Sequence, residues 1–410
     1  MVHHTMNTRR ISAPSASSNN RVMDSRGWGR GAAWVAALAI VGSLVACGSA
    51  PVVVSEPAPS VASVPAVRPV PAPGVQQRAR SRWVAVDWQD LPGWGQDALH
   101  EAWNALLRGC EKPAPGFEAL CAQARPLAIG SPEEQRAWVQ QRLQPYRVVE
   151  VDGRAPEGLL TGYYEPVLEA SRLPTATQRV PLYAPPPGLV NGQAWYTRQQ
   201  IDTSPEAQAA LRGRAIAWLA DPIDALILQI QGSGRLLVRE PDGRVVPVRL
   251  AYAAHNGQPY QSVGRWLLDQ GAIREASWDA IKAWARQNPQ RLNDMLWSNP
   301  RTVFFREEAL SDFDAFFGPR GAQGVALTPG RSIAVDPLSI PYGTPVWLAT
   351  QGPVLNTQRL VLAQDTGGAI QGAVRADLFT GWGGWNDEAF KLAAALKQPL
   401  QLWALWPKVQ

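Results

Sequence analysis

Three aspartates in the C-terminal quarter of the chain carry the residue type that proton-transfer chemistry needs. An apolar strand, Leu360 to Gln364, is expected to deliver Asp365 into Asp365-Thr366-Gly367-Gly368, where two glycines let the backbone turn sharply and a ligand approach. Asp377 follows in Arg375-Ala376-Asp377-Leu378-Phe379, beside two apolar side chains. Partial burial and a like charge nearby both raise a carboxyl pKa, as a general acid near neutral pH requires. Asp336, in Ser332-Ile-Ala-Val-Asp-Pro337, is the third. Residue types alone do not choose between Asp365 and Asp377 as proton donor. A plainer alternative has Asp365 capping a turn and Asp377 paired with Arg375.

Other chemistries find less support. Beyond the leader described below, His100 and His255 are the only histidines, which argues against Ser-His and Cys-His nucleophile schemes and against zinc. Gly232-Ser-Gly234 is too short for a phosphate-binding loop, so neither a metal nor a nucleotide cofactor is expected. Asp365-Thr366-Gly367 is also the triplet of aspartic peptidases, which need two such loops sharing one proton. The only second copy, Asp202-Thr203-Ser204, follows Gln199-Gln200 rather than an apolar strand. A peptidase is the weaker alternative.

The elements that must hold these residues are mostly short strands: Leu159 to Glu165, Ala225 to Ile230, Leu236 to Arg239, Val245 to Leu250, Val303 to Phe305, Ile333 to Val335, Pro345 to Ala349, Leu360 to Gln364 and Leu400 to Leu405. Pro241-Asp242-Gly243 predicts a hairpin turn. Helices are predicted where Leu99, Trp103, Leu106 and Leu107 share a face, after the capping box Ser131-Pro-Glu-Glu134, and from Ser277 to Arg286 before Asn288-Pro289. Short strands separated by Gly and Pro turns favour a compact barrel over a doubly wound sheet.

The N-terminus has the layout of an export signal: Arg26 and Arg30, an apolar run from Gly31 to Val45, then Leu44-Val45-Ala46-Cys47. That tetrad looks like a bacterial lipobox, so Cys47 is the expected lipidation site, with residues 1–46 removed. Translation starting at Met23 would fit the same signal. Loss of 1–46 takes five arginines against one aspartate and lowers the formal charge from +5 to +1. The high pI is therefore mostly leader, and a nucleic-acid partner loses its compositional support. Residues 47–80 are rich in Pro, Ala and Val and read as a periplasmic linker. In an exported chain Cys110 and Cys121 are disulfide candidates. The remaining stretch of about 330 residues exceeds a single core, so two domains are expected.

The three-aspartate segment resembles the C-terminal module of the membrane-bound lytic transglycosylase A family. The resemblance extends upstream through Leu160-Thr-Gly-Tyr-Tyr-Glu-Pro166, Leu228-Gln-Ile-Gln-Gly-Ser-Gly-Arg235, Asn256-Gly-Gln-Pro-Tyr-Gln-Ser-Val-Gly264 and Asn299-Pro-Arg-Thr-Val-Phe-Phe305, in the family's order. It implies a mainly β fold with helices: a double-psi β-barrel of residues 81–165 and 301–410, interrupted by an inserted second β-rich domain of residues 166–300, with a groove between them. It also implies that Asp377 is the catalytic acid and base, with Asp365 beside it and Asp336 supporting the loops. The implied reaction cleaves peptidoglycan between N-acetylmuramic acid and N-acetylglucosamine without water, leaving 1,6-anhydromuramyl ends. Gln231, Ser233, Tyr260 and Tyr164 are candidate sugar contacts, since amides and hydroxyls bond sugar rims while aromatic rings stack on apolar faces. The implied location is the periplasmic face of the outer membrane, through a lipid anchor. A non-catalytic, expansin-like glycan-binding protein is the other alternative.

Overall fold

The computed structural model describes residues 74–191 and 193–408. The signal segment, Cys47 and most of the linker lie outside the described residues.

Seven strands close a barrel, two of them separated by Leu400 alone. The long strand Leu159–Ser171 runs parallel to Arg375–Gly383, which pairs antiparallel with Ser332–Val335. Ser332–Val335 pairs parallel with Asn356–Asp365, then Pro345–Gln351 and Gln401–Pro407 follow antiparallel. Lys397–Pro399, just before that last strand, returns to Leu159–Thr161 and closes the ring.

Period-2 alternation explains both faces. Leu160, Ile333, Val335, Val346, Leu348, Val361, Ala363, Ala376, Leu378, Leu402 and Ala404 fill the interior. Their neighbours Trp347, Ala349, Leu360, Leu362, Trp403 and Leu405 face outward, beneath the helix Leu99–Gly109, which contributes Leu99, Ala102, Trp103 and Leu106. Each fully buried Leu or Val in these layers contributes roughly 1.5–3 kcal/mol. Cys110 and Cys121 form a disulfide that ties the end of this helix to the helix Glu118–Ala124. The predicted capping box is present: Ser131 Oγ accepts from the Glu134 amide before the helix Pro132–Arg142.

The long strand serves two sheets. It pairs with Arg375–Gly383 as far as Pro166, and from Val167 onward runs parallel to Gly234–Arg239. That strand continues through the Asp242-Gly243 turn into Val245–His255, which pairs with Val303–Ala309, while Ala215–Leu219 joins the long strand at Ser171 and carries Val180–Tyr183. Ala170, Leu182, Leu219, Leu236, Val238, Leu250 and Phe305 form its core. Helices within this stretch pack a separate cluster around Ile227, Leu267, Ile281, Trp284 and Met295.

One expected strand is a helix. Ala225 to Ile230 lies within the helix Pro222–Gln231, because Asp221 caps its start, Pro222 occupies the first turn, and Gly232 ends it in the left-handed region. A short apolar run is ambiguous by periodicity, and the flanking Asp-Pro and Gly decide it.

A buried ion cluster joins the two lobes. Glu165, with no exposed surface, accepts from Arg235 Nε and Arg249 Nε at 2.7 Å each. Both guanidiniums also donate to the Phe317 carbonyl, and Arg235 lies 3.9 Å from the Trp382 ring centroid. Each charge thus has the partners that burial requires.

Candidate active site

Ser332–Val335 brings the two central aspartates together. Ala334 pairs with Asp377 on one side and with Asp365 on the other. The second pairing depends on a register shift: Ile333 faces Ala363, but Ala334 faces Asp365, so Gln364 is passed over. Without that bulge, strict alternation would send Asp365 toward the interior with Val361 and Ala363. Gln364 is instead buried outside the barrel, donating to the Ala105 carbonyl and accepting from Ser332 Oγ.

The long strand supplies partners for both carboxyls. Thr161 and Tyr163 have the alternation opposite to Leu160 and stand across from Asp377 and Phe379. Thr161 Oγ1 donates to Asp377 Oδ1 at 2.6 Å and accepts from an Arg375 Nη at 2.9 Å. Arg375 is thus linked to Asp377 by hydrogen bonds through the threonine hydroxyl, and its charge also acts on the carboxyl directly. Tyr163 donates its phenol to Asp365 Oδ2 at 2.8 Å, and the Ala322 amide donates to Oδ1 at 2.9 Å. The loop carrying Ala322 approaches closely because of Gly318 and Gly321. A methyl group on the former would meet the Phe379 ring at 2.6 Å, and one on the latter the Gln364 carbonyl oxygen at 2.4 Å.

These environments separate the two carboxyls. Burial pushes Asp377 up to about 6, helped by the charge on Asp365 and opposed by Thr161 and Arg375. Burial also raises Asp365, but Tyr163 and the amides of Thr366 and Ala322 all favour its ionised form. More donors stabilise the charge on Asp365 than on Asp377. Burial and the adjacent Asp365 hold the Tyr163 phenol well above its ordinary value, so it remains a donor.

The other expected residues occupy different positions. Asp336, 4% exposed, accepts from Arg80, from the Gly372 amide and from the Leu338 amide, joining the N-terminal strand region to the loops around the site. Gln231 accepts from the Tyr164 amide. Tyr164 is buried against Phe390, Ser233 is nearly buried, and Tyr260 is 38% exposed. Asp202 lies on the helix Arg198–Thr203 and accepts from the Trp297 indole, so it presents no second strand-exit loop. Thr161, Tyr163 and the Arg375 relay were not singled out from the sequence. The signal was present in the Leu160-Thr-Gly-Tyr motif, whose alternation places both hydroxyls on one face.

Two neighbouring carboxyls in unequal environments, one pushed up to about 6 and the other with three donors favouring its ionised form, have the arrangement of an acid–base enzyme's site. Residues 159–306 match the family described as the MltA specific insert domain, and residues 331–406 match the 3D domain. A relative from Vibrio cholerae serotype O1, membrane-bound lytic murein transglycosylase A, is 30% identical over 291 residues, covering 65% of this chain and 73% of the relative. Among solved structures, the lytic transglycosylase LtgG of Burkholderia pseudomallei is 42% identical, with TM-score 0.55, covering 83% of this chain and 99% of that one. MltA from Neisseria gonorrhoeae is 30% identical, with TM-score 0.67, covering 83% and 97%. The chain belongs to the membrane-bound lytic murein transglycosylase A family.

Proposed function

We propose that this chain cleaves the β-1,4 bond between N-acetylmuramic acid and N-acetylglucosamine with Asp377 as both acid and base. The observation that carries this reading is the Asp377 carboxyl, pushed up to about 6 and held by Thr161 next to Asp365. Ordinary glycosidases divide the work between two carboxyls, one protonating the leaving oxygen and the other delivering water or a covalent bond. Here the proton of Asp377 passes to the glycosidic oxygen as its bond to C1 breaks. The muramyl O6 then bonds to C1, and its proton returns to Asp377. A 1,6-anhydro ring forms and no water is consumed. Asp365 keeps the Asp377 proton in place by its charge, while Asp336 holds the loops through Arg80 and Gly372.

The inserted stretch 166–300 is the substrate-binding lobe in this reading, with Gln231, Ser233, Tyr260 and Tyr164 on or behind the glycan path. Cys47 carries the lipid anchor at the periplasmic face of the outer membrane; Gly48 follows it, where many retained inner-membrane lipoproteins have aspartate. Digestion of purified murein in 18O-labelled water tests the reaction. New 1,6-anhydro ends free of 18O are expected, whereas reducing ends carrying the label would refute it. Cys47→Ser should abolish incorporation of labelled fatty acid, and continued labelling would refute the anchor.

A further inference from the structure

Arg301 lies just before Val303–Ala309, the edge strand of the second sheet, and its surroundings leave part of its guanidinium uncommitted. Its backbone amide donates to Asn299 Oδ1 at 3.2 Å, and that same oxygen accepts from the Gln261 amide. Its Nε donates to the Gln258 carbonyl at 2.8 Å, which fixes the side chain against the loop carrying Tyr260. Nη1 is placed over the glycine turn that follows Asp365: a methyl group on Gly368 would stand 2.8 Å from it. Only a glycine turn admits the guanidinium that close.

Neighbouring arginines are satisfied. Arg80 pairs with Asp336, Arg235 and Arg249 with Glu165, and Arg375 bonds Thr161. Among the described residues, the Nη groups of Arg301 have no hydrogen-bond partner and no acidic side chain within ion-pair distance, although the residue is half-buried. A guanidinium is a planar fork suited to carboxylates, and one fixed at Nε loses little further freedom when its Nη groups bind. An uncompensated, prepositioned cation over the turn that follows Asp365 matches a substrate that brings its own negative charge.

We infer that Arg301 is a specificity residue that binds a carboxylate of the glycan substrate, distinguishing acidic murein from neutral N-acetylglucosamine polymers. This rests on the proposed reaction at Asp377. The carboxylate has two sources in murein: the lactyl group of N-acetylmuramic acid, free where the peptide has been removed, and the acidic residues of attached stem peptides.

The test uses the full chain in detergent, with Arg301→Gln and Arg301→Lys variants. Three substrates separate the sources: peptide-bearing murein, amidase-denuded glycan, and a neutral N-acetylglucosamine hexamer read by calorimetric binding. Arg301→Gln should raise KM about tenfold on at least one acidic substrate with kcat changed less than about threefold, and Arg301→Lys should recover most of the loss. Affinity for the neutral hexamer should stay within about twofold. A loss on denuded glycan assigns the lactyl carboxylate, and a loss confined to peptide-bearing murein assigns the stem peptide. Unchanged KM on both acidic substrates, or an equal loss on the neutral hexamer, would overturn the inference. If wild-type protein forms no anhydro ends, the reaction reading fails, and titration of denuded glycan against the two variants still decides the role of Arg301.

Discussion

Asp365 and Asp377 are register partners of the same residue, Ala334, one through a parallel and the other through an antiparallel pairing. Twelve positions apart in sequence, they are set on the two strands that flank Ser332–Val335, aligned by a single slip at Ile333/Ala334. Each then takes a different hydroxyl from the long strand, and those hydroxyls give the pair its asymmetry.

Thr161→Ala should lower kcat about tenfold, because Asp377 loses the donor that orients it and the link to Arg375. The lost hydrogen bond favoured the ionised form, so the Asp377 pKa rises further and the alkaline limb of the rate profile moves to higher pH. Thr161→Ser should restore both. A pH profile of the alanine variant that matches wild type would exclude the relay.

Asp365→Asn should move that limb the other way. Burial is the main cause of the raised Asp377 pKa, and Asp365 adds to it, so removing the charge lowers the value. The rate should fall as well, since less Asp377 is protonated at neutral pH. A profile shifted toward higher pH would contradict the assigned roles.

Glu165→Gln should destabilise the protein by about 3–5 kcal/mol, because Arg235 and Arg249 would keep buried charges without a counterion. Urea unfolding measures it. A loss below about 1 kcal/mol would show that the cluster is not a significant tie between the lobes.

Asp377→Asn should stabilise the fold at pH 8. A carboxyl raised from 3.8 to about 6 is most favourable below its unfolded pKa, and that advantage is lost as pH rises through the folded value. Ionised Asp377 therefore costs about 3 kcal/mol above pH 7 relative to a neutral group, by the usual linkage arithmetic. The gain from asparagine should appear at pH 8 and vanish near pH 3, as read from unfolding midpoints at each pH.

Much of this site was legible in the sequence because strand alternation and glycine turns are local signals. The apolar run into Asp365 and the apolar flanks of Asp377 mark both carboxyls, and the flanking caps could have identified the helix Pro222–Gln231. Two features were not legible. The bulge that passes over Gln364 is a register choice fixed by its contacts with Ala105 and Ser332, which come from distant parts of the chain. Thr161 and Asp377 are likewise 216 positions apart, and only the parallel pairing of the long strand with Arg375–Gly383 makes them neighbours.

The central claim is that one carboxyl, Asp377, moves the proton in both directions, and Asp377→Asn tests it most directly. Asparagine keeps the shape and can still accept from Thr161, but cannot donate a proton and then take one back. On purified glycan strands, with fragment ends identified by mass spectrometry, the variant should bind normally while anhydro-end formation falls at least about a hundredfold. Near-normal turnover by Asp377→Asn, with Asp365→Asn inactive, would contradict the account and place the proton on Asp365.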